Sequence, residues 1–147
     1  MPNWCSNHLT VIGEHEAVQR FKQQAVGHSP WETPHADEKP NVLNFHSLVP
    51  IPDDILNAGY VAQGYDWENN HWGSKWGACH ADLVDDNGSE LLYGFDTAWA
   101  PPIGFLGAVA KLWPTLTFIL EYEEGGIGFK GLAKAQGETV EDHCISL

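Results

Sequence analysis

The chain has 147 residues, a length that suits one globular domain with a sizeable core. Hydrophobic residues make up 43% of it, while 20 acidic residues against 7 basic ones give a net charge of -13 with His neutral. Because so acidic a surface repels phosphate backbones, we expect no direct nucleic-acid partner. No apolar run approaches the roughly 20 residues of a membrane helix, so we expect no membrane partner.

The three cysteines, Cys5, Cys79 and Cys144, are odd in number and show no repeated spacing, which argues against a disulfide framework. The first residues lack the charged and apolar regions of a signal peptide. We therefore expect a reduced, cytoplasmic protein. Each cysteine lies near a histidine, but neighbours on an extended strand point to opposite faces, so we expect neither a metal nor a cofactor.

The first third of the chain predicts a strand, a helix and a long irregular excursion. Apolar and polar residues alternate near residues 6–12, as in a half-buried strand. The period then changes to that of an amphipathic helix near 14–26, which Gly27 stops. Residues 28–41 hold Pro30, Pro34 and Pro40 among polar residues, which indicates no regular structure, and 42–49 is then predicted as an edge strand.

The rest of the chain predicts two strands, a helix and a third strand, near residues 78–84, 90–97, 102–113 and 115–123. Asn87-Gly88 is the strongest short hairpin signal and joins the first two strands. Pro102 suits the first position of the helix, since its missing N–H is not needed there. Gly125-Gly126 should turn the chain back into a glycine-rich strand from Ile127 to about Leu132.

This order predicts an α+β protein with a ferredoxin-like, split βαβ antiparallel sheet and both long helices on one face. Residues 1–147 would form a single domain. Residues 28–77 would be a long insertion after the first helix, and the last predicted strand would be an extra C-terminal hairpin strand.

A tryptophan cluster within the insertion is the candidate site. Trp67, Trp72 and Trp76 fall within ten residues, and Lys75 is the sole Lys or Arg between residues 40 and 110. Indoles this dense either fill a core or line a concave surface. The candidate ligand-binding residues are Trp4, Trp72, Ser74, Lys75, Trp76, Asp96 and Trp99.

Two interpretations of the cluster stay open. In the first, the indoles pin the insertion onto the sheet, and Lys75 forms an enclosed ion pair with Asp96 or Asp66. In the second, they line a cleft in which Lys75 and Asp96 hold a small polar ligand, either a sugar-like ring or a planar base. Lys75 can lay its methylene stem along an indole in both cases.

Three classes of function follow. The first is a binding or interaction module that uses the Trp-lined surface. The second is an acidic decoy or inhibitor of a basic, nucleic-acid-binding partner protein. The third is a hydrolase using a carboxylate pair such as Glu121 and Glu123, but no differently placed second group is evident. An enzyme is therefore not favoured, and we assign no catalytic residue.

Several motifs along the chain resemble a known family. They are Met1-Pro2-Asn3-Trp4-Cys5-Ser6-Asn7, Val49-Pro50-Ile51-Pro52, Trp72-Gly73-Ser74-Lys75-Trp76 and Phe95-Asp96-Thr97-Ala98-Trp99-Ala100-Pro101-Pro102. The sequence is similar in these segments to the YubB ferredoxin-like domain family, although Ser74 stands where that family has Thr. The resemblance implies a ferredoxin-like fold, an origin on mobile genetic elements or bacterial chromosomes, and no established activity.

Overall fold

A computed structural model describes residues 2–147. In this range the strands are β1 (Trp4–Ile12), β2 (Cys79–Asp86), β3 (Glu90–Ala98), β4 (Thr117–Glu124), β5 (Phe129–Gln136) and β6 (Thr139–Ser146). The α-helices are α1 (His15–Gln24), α2 (Phe45–Leu48), α3 (Asp53–Ala58), α4 (Tyr65–His71) and α5 (Ile103–Leu112). A π-helical turn spans Tyr60–Gly64.

The strands form one antiparallel sheet in the order β2-β3-β1-β4-β5-β6. Strand β1 lies between β3 and β4, in registers that place Leu9 opposite both Tyr93 and Leu120. Strand β2 pairs with the outer side of β3, so β3 separates the two strands of the β1-α1-β2 unit. This is the split βαβ arrangement. The predicted α+β, ferredoxin-like fold with an antiparallel sheet is confirmed.

The alternation in β1 shows how the sequence places the core. Every second residue from Cys5 to Val11 is buried, while Ser6 and His8 are exposed on the opposite face. Phe21 of α1 packs edge-on against Phe118 of β4, with ring centroids 5.4 Å apart. Each large apolar side chain enclosed here stabilises the fold by about 1.5–3 kcal/mol. The core therefore lies between one face of the sheet and the long helices.

The main predicted elements are all present, within a few residues of the strands expected near 6–12, 78–84, 90–97 and 115–123 and the helices expected near 14–26 and 102–113. Helix α5 follows Pro102 and ends before Trp113-Pro114, as the proline signals indicate. Phe105, Leu106 and Val109 of α5 are buried in the same core as Phe21 of α1, so both helices cover one face of the sheet.

The edge strand predicted for residues 42–49 is wrong. Asn44 instead caps helix α2, and its side-chain oxygen accepts a hydrogen bond from the Ser47 backbone N–H at 2.8 Å. Phe45 and Leu48, three residues apart, share the buried side of this single turn. The nearby strand-like pairing is an isolated bridge between Gly27 and Asn41. A good cap and one apolar pair therefore outweigh the β-like composition of the segment.

The C-terminal part of the sheet is longer than predicted. Strand β5 starts at Phe129 and continues to Gln136, beyond the predicted end near Leu132. Gly137, with φ of 59°, then turns the chain into β6, which the sequence analysis did not predict. Every residue of β6 is exposed, so its sequence lacks the alternation that marks a half-buried strand.

Helix α5 also fixes the end of α4, where the candidate site begins. The backbone N–H of Phe105 donates to the Trp72 carbonyl at 3.0 Å. A Cβ on Gly104 would overlap the backbone carbonyl oxygen of His71, which leaves no space for a side chain. Gly104 therefore lets the two helices approach closely enough to hold Trp72 against the core.

Candidate functional site

The predicted site residues divide into a buried and an exposed group. Trp72 and Ser74 are buried, whereas Trp76 and Trp99 keep 47% and 45% of their surfaces exposed. The part-buried members are Trp4, Lys75 and Asp96. Neither interpretation, a sealed core or an open cleft, describes the whole set.

Trp72 belongs to the core. Its indole Nε1–H donates to the Val49 carbonyl at 3.1 Å, and its ring meets Phe45 and Trp67 edge-on with centroids 5.5 Å away in each case. Such edge-to-face contacts and a satisfied indole N–H are typical of a packed tryptophan. Ser74 is buried as well, but its hydroxyl has no hydrogen-bond partner in residues 2–147.

Trp4, Trp76 and His80 form an outer aromatic cluster beside this core. The Trp4 ring lies 6.3 Å from that of Trp76 and 5.1 Å from that of His80. His80 Nδ1 lies 3.0 Å from Asp96 Oδ2, so Asp96 anchors the cluster through the imidazole. Trp4, Trp76 and Asp96 of the predicted set therefore lie in one cluster, together with His80, which was not predicted.

The ion pair predicted between Lys75 and Asp96 or Asp66 is wrong. Lys75 makes no ion pair in residues 2–147. Asp96 bonds His80 instead, and Asp66 is exposed rather than enclosed. The Lys75 ammonium lies instead 4.2 Å from the centroid of the Trp76 ring. A cation over an indole face is attracted by the ring quadrupole. The contact with the indole, which the sequence also predicted, is present without the carboxylate.

Trp76 lines a half-open cavity of about 510 Å3, which we call the Trp cavity. Its aromatic walls come from three separate segments of the chain and comprise Trp31, Phe45, Tyr60, Trp72 and Trp76. Trp31, from the proline-rich excursion, was not predicted to take part. The predicted site residues outside this lining are Trp4, Ser74, Lys75, Asp96 and Trp99.

Trp31 packs against the π-helical turn at Gly64, which has no side chain. A Cβ on Gly64 would lie 2.5 Å from Cζ2 of the Trp31 ring, so a larger residue would displace the indole. The Trp31 ring also meets Tyr60 edge-on, with centroids 5.4 Å apart. These contacts join the irregular excursion to the wall of the Trp cavity.

A buried carboxylate, that of Glu68, is the main polar group of the Trp cavity. Glu68 is only 1% exposed. Its Oε2 accepts from the Trp31 indole N–H at 2.9 Å, and its Oε1 accepts from the Trp76 backbone N–H at 2.8 Å. Burial raises its pKa, and these two hydrogen bonds oppose the shift only in part. Glu68 has no ion-pair partner in residues 2–147.

The sequence held one signal for Glu68 that was not used. Glu68 lies in α4, four residues before Trp72 at the C-cap of this helix, and residues four apart share a face of a helix. A carboxylate on the face that buries a tryptophan is itself expected to be buried. The partner Trp31 lies 37 residues away, and no spacing rule connects the two.

Tyr60 and His46 are further polar groups in the lining. The Tyr60 hydroxyl is buried without a hydrogen-bond partner in residues 2–147. Burial, with the nearby Glu68 charge, raises its pKa to about 12 against a smaller opposing effect of the Trp76 side chain, which lies outside hydrogen-bond geometry, so the hydroxyl keeps its proton. Burial lowers the pKa of His46, whose Nδ1 accepts from the Ile51 N–H at 2.9 Å. The proton of neutral His46 is therefore on Nε2.

The backbone is strained around the outer aromatic cluster. In residues 2–147, the non-glycine residues with positive φ are Trp76 at 72°, His80 at 53° and Trp99 at 71°. For a bulky residue this conformation is an outlier that the surroundings must hold in place. At Trp76 the Glu68 carboxylate does so by accepting the backbone N–H. Strain of this kind often accompanies binding sites.

The carboxylates considered for hydrolysis lie elsewhere. Glu121 and Glu123 share the exposed face of β4, where Glu121 pairs with His8 and Glu123 with Lys130 on the neighbouring strands. They line an open groove of about 550 Å3 on the sheet face away from the long helices. Residues 2–147 contain no group of three or more His, Cys, Asp or Glu placed to hold a metal ion.

The fold and the site together define a ferredoxin-like α+β protein with an aromatic cavity beside its sheet. Residues 71–146 match a family model described as the ferredoxin-like domain in Api92-like protein, and the chain belongs to that family. The matched range includes Trp72 and Trp76 but neither Trp31 nor Glu68. The name YubB, suggested by resemblance, stays a prediction.

A solved structure supports the fold over the whole chain. The crystal structure of a protein api92 from Yersinia pseudotuberculosis is similar with a TM-score of 0.75 and 10% sequence identity, covering 100% of this chain and 99% of that one. At this identity the likeness shows the fold alone. No curated protein matches the sequence. In residues 2–147 no helix is long and apolar enough to cross a membrane.

Proposed function

We propose that the protein is a small binding module whose Trp cavity takes a polar ligand or a side chain of a partner protein. One observation carries the proposal: aromatic side chains line a half-open cavity of about 510 Å3 together with the buried Glu68 carboxylate and a Tyr60 hydroxyl that has no partner in residues 2–147. Apolar walls with a few convergent polar groups are typical of ligand sites. In this proposal residues 1–147 act as one domain, and the insertion 28–77 supplies most of the cavity wall.

The predicted site residues take different parts in this proposal. Trp72 and Trp76 are walls of the cavity. Trp4 supports the far side of Trp76, and Asp96 holds His80 beside Trp4. These residues would keep the half-exposed Trp76 indole in place at the edge of the site. Ser74, Lys75 and Trp99 would not touch a ligand inside the cavity.

A purely structural role for the cluster is the competing explanation. The two hydrogen bonds of Glu68 tie Trp31 and Trp76 together and would serve that role. A structural cluster, however, does not require a half-exposed indole held in a strained backbone conformation, as Trp76 is. These features favour binding.

The test is nuclear magnetic resonance of protein labelled with 15N at its seven tryptophans. A mixed set of sugars, planar heterocycles and organic amines is added, and the indole N–H signals are followed. We expect ligands to shift the signals of Trp31, Trp72 and Trp76. Trp113, which packs against Phe21 in the main core, is the internal control and should not move. Ligands that leave all three cavity signals unchanged would refute the proposal.

The acidic decoy remains a second candidate because the net charge is -13. Its partner would be a basic protein bound mainly by charge. Such binding should collapse as salt rises past 0.1 M, where the Debye length is about 10 Å, whereas binding in the Trp cavity should persist. Measuring affinity at low and high salt therefore separates the two functions.

A further inference from the structure

The charge of Glu68 has no counterpart in the Trp cavity. Its carboxylate is almost completely buried, and the two groups that donate to it, an indole N–H and a backbone N–H, are neutral. Buried charges in proteins are usually paired with an opposite charge, because taking a lone ion out of water is costly. The cavity therefore offers a negative charge and contains no cation to neutralise it in residues 2–147.

The carboxylate also has unused hydrogen-bond acceptor capacity. Two carboxylate oxygens accept about four hydrogen bonds, and Glu68 uses one on each oxygen. The neighbouring Tyr60 hydroxyl is free to accept a further N–H. Both residues belong to the lining of the same cavity, so a ligand between its walls would lie beside both.

The aromatic walls also suit a positively charged ligand. Trp31, Trp72, Trp76 and Phe45 present π-systems, and tryptophan is the strongest of the side chains that attract a cation. Lys75 already demonstrates this for one indole, since its ammonium lies 4.2 Å from the Trp76 ring centroid. Lys75 does not line the cavity, so it leaves the interior site to a ligand.

We propose that the Trp cavity binds an alkylammonium group, held by the Glu68 carboxylate and enclosed by the indoles. This inference rests on the proposed function and specifies its ligand class. A cavity of about 510 Å3 suits a small ligand or one side chain. The ammonium can belong to a free amine or to a lysine side chain, which present the same chemistry.

The first experiment uses the unaltered protein and a pair of isosteric probes. Choline and 3,3-dimethyl-1-butanol have nearly the same shape, but only choline carries a positive charge. We expect choline to bind at least about tenfold more tightly in isothermal titration calorimetry, because cation–π attraction and the carboxylate act on the charge alone. Nα-acetyl-lysine methylamide and its norleucine analogue repeat the comparison for a protein side chain. Tighter binding of choline would indicate a free ammonium compound as the ligand, and tighter binding of the lysine derivative would indicate a lysine side chain of a partner protein.

The second experiment uses two variants of helix α4. Glu68→Gln keeps the size of the side chain but removes the charge, and it should abolish the preference for the cation. Asp66→Asn is the matched control, because Asp66 is an exposed acid two residues away and should change choline affinity less than about twofold. If Glu68→Gln fails to fold, the isosteric pairs still decide the question.

The outcomes separate this inference from the proposed function. Equal affinity for a cation and its isostere, with shifts of the cavity indole signals, would overturn the ammonium assignment and leave the binding module intact. An equal loss of choline affinity in Asp66→Asn and Glu68→Gln would also overturn it, because the general acidity of the surface would then explain binding. If neither these probes nor the mixed ligand set shifts the cavity signals, both proposals fail.

Discussion

Replacing Glu68 with Ala should destabilise the protein by about 2–4 kcal/mol at pH 7. Two donors, the Trp31 indole N–H and the Trp76 backbone N–H, would lose their acceptor. Each buried donor left without a partner destabilises the protein by about 1–3 kcal/mol, while removing a buried charge offsets part of this loss. The change would also release the Trp76 backbone, whose φ of 72° needs external support.

Urea unfolding followed by far-ultraviolet circular dichroism measures the loss of stability, and 15N spectra of the indoles show whether it is local. The Trp31 signal should move most, since its N–H bonds directly to Glu68. Asp66→Ala is the control on the same helix, and at an exposed position it should change stability by no more than about 0.5–1 kcal/mol. Equal stability of Glu68→Ala and the control would refute the reasoning.

Three further predictions test other parts of the structure. Lys75→Met should lower the free energy of unfolding in urea by less than about 1 kcal/mol, because it removes a cation–π contact but breaks no ion pair. A loss of about 3–5 kcal/mol would instead require a buried ion pair. Phe118→Ala should cost about 3–5 kcal/mol, because the ring is fully buried against Phe21; a loss below 1 kcal/mol would place it outside the core. Folding raises the pKa of Glu68, so the free energy of unfolding of the wild type, relative to that of Glu68→Gln, should fall as pH rises from 4.5 through the folded-state pKa. A difference in stability between the two proteins that does not change with pH would contradict the burial of this charge.

The elements of the sheet core could be predicted because they have a strong local pattern. The alternation in β1 and the stripe of α1 are properties of about ten neighbouring residues, and the buried face follows directly from them. Strand β6 has no such pattern, since it lies exposed at the edge of the sheet. The segment 42–49 was misassigned because one cap by Asn44 decides between strand and helix.

The candidate site was predictable only where it depends on neighbouring residues in the sequence. The importance of Trp72 and Trp76 followed from the local density of indoles. The carboxylate predicted to join the tryptophan cluster was Asp96 or Asp66. Asp96 bonds His80, and the carboxylate that bonds the cluster tryptophans is that of Glu68. The contact between Trp31 and Glu68 depends on how a proline-rich segment folds back, which no local pattern encodes.

The two parts assigned to Glu68, structural support and ligand binding, do not conflict. Its partners in the protein are neutral donors, and they position the carboxylate without cancelling its charge. Had Lys75 reached this carboxylate, the cavity would be neutral and an ammonium ligand would have to displace a tethered cation. Lys75 lies on the Trp76 indole instead, outside the cavity lining. The arrangement therefore ties Trp31 and Trp76 together and leaves the Glu68 carboxylate without a cation of the protein in residues 2–147.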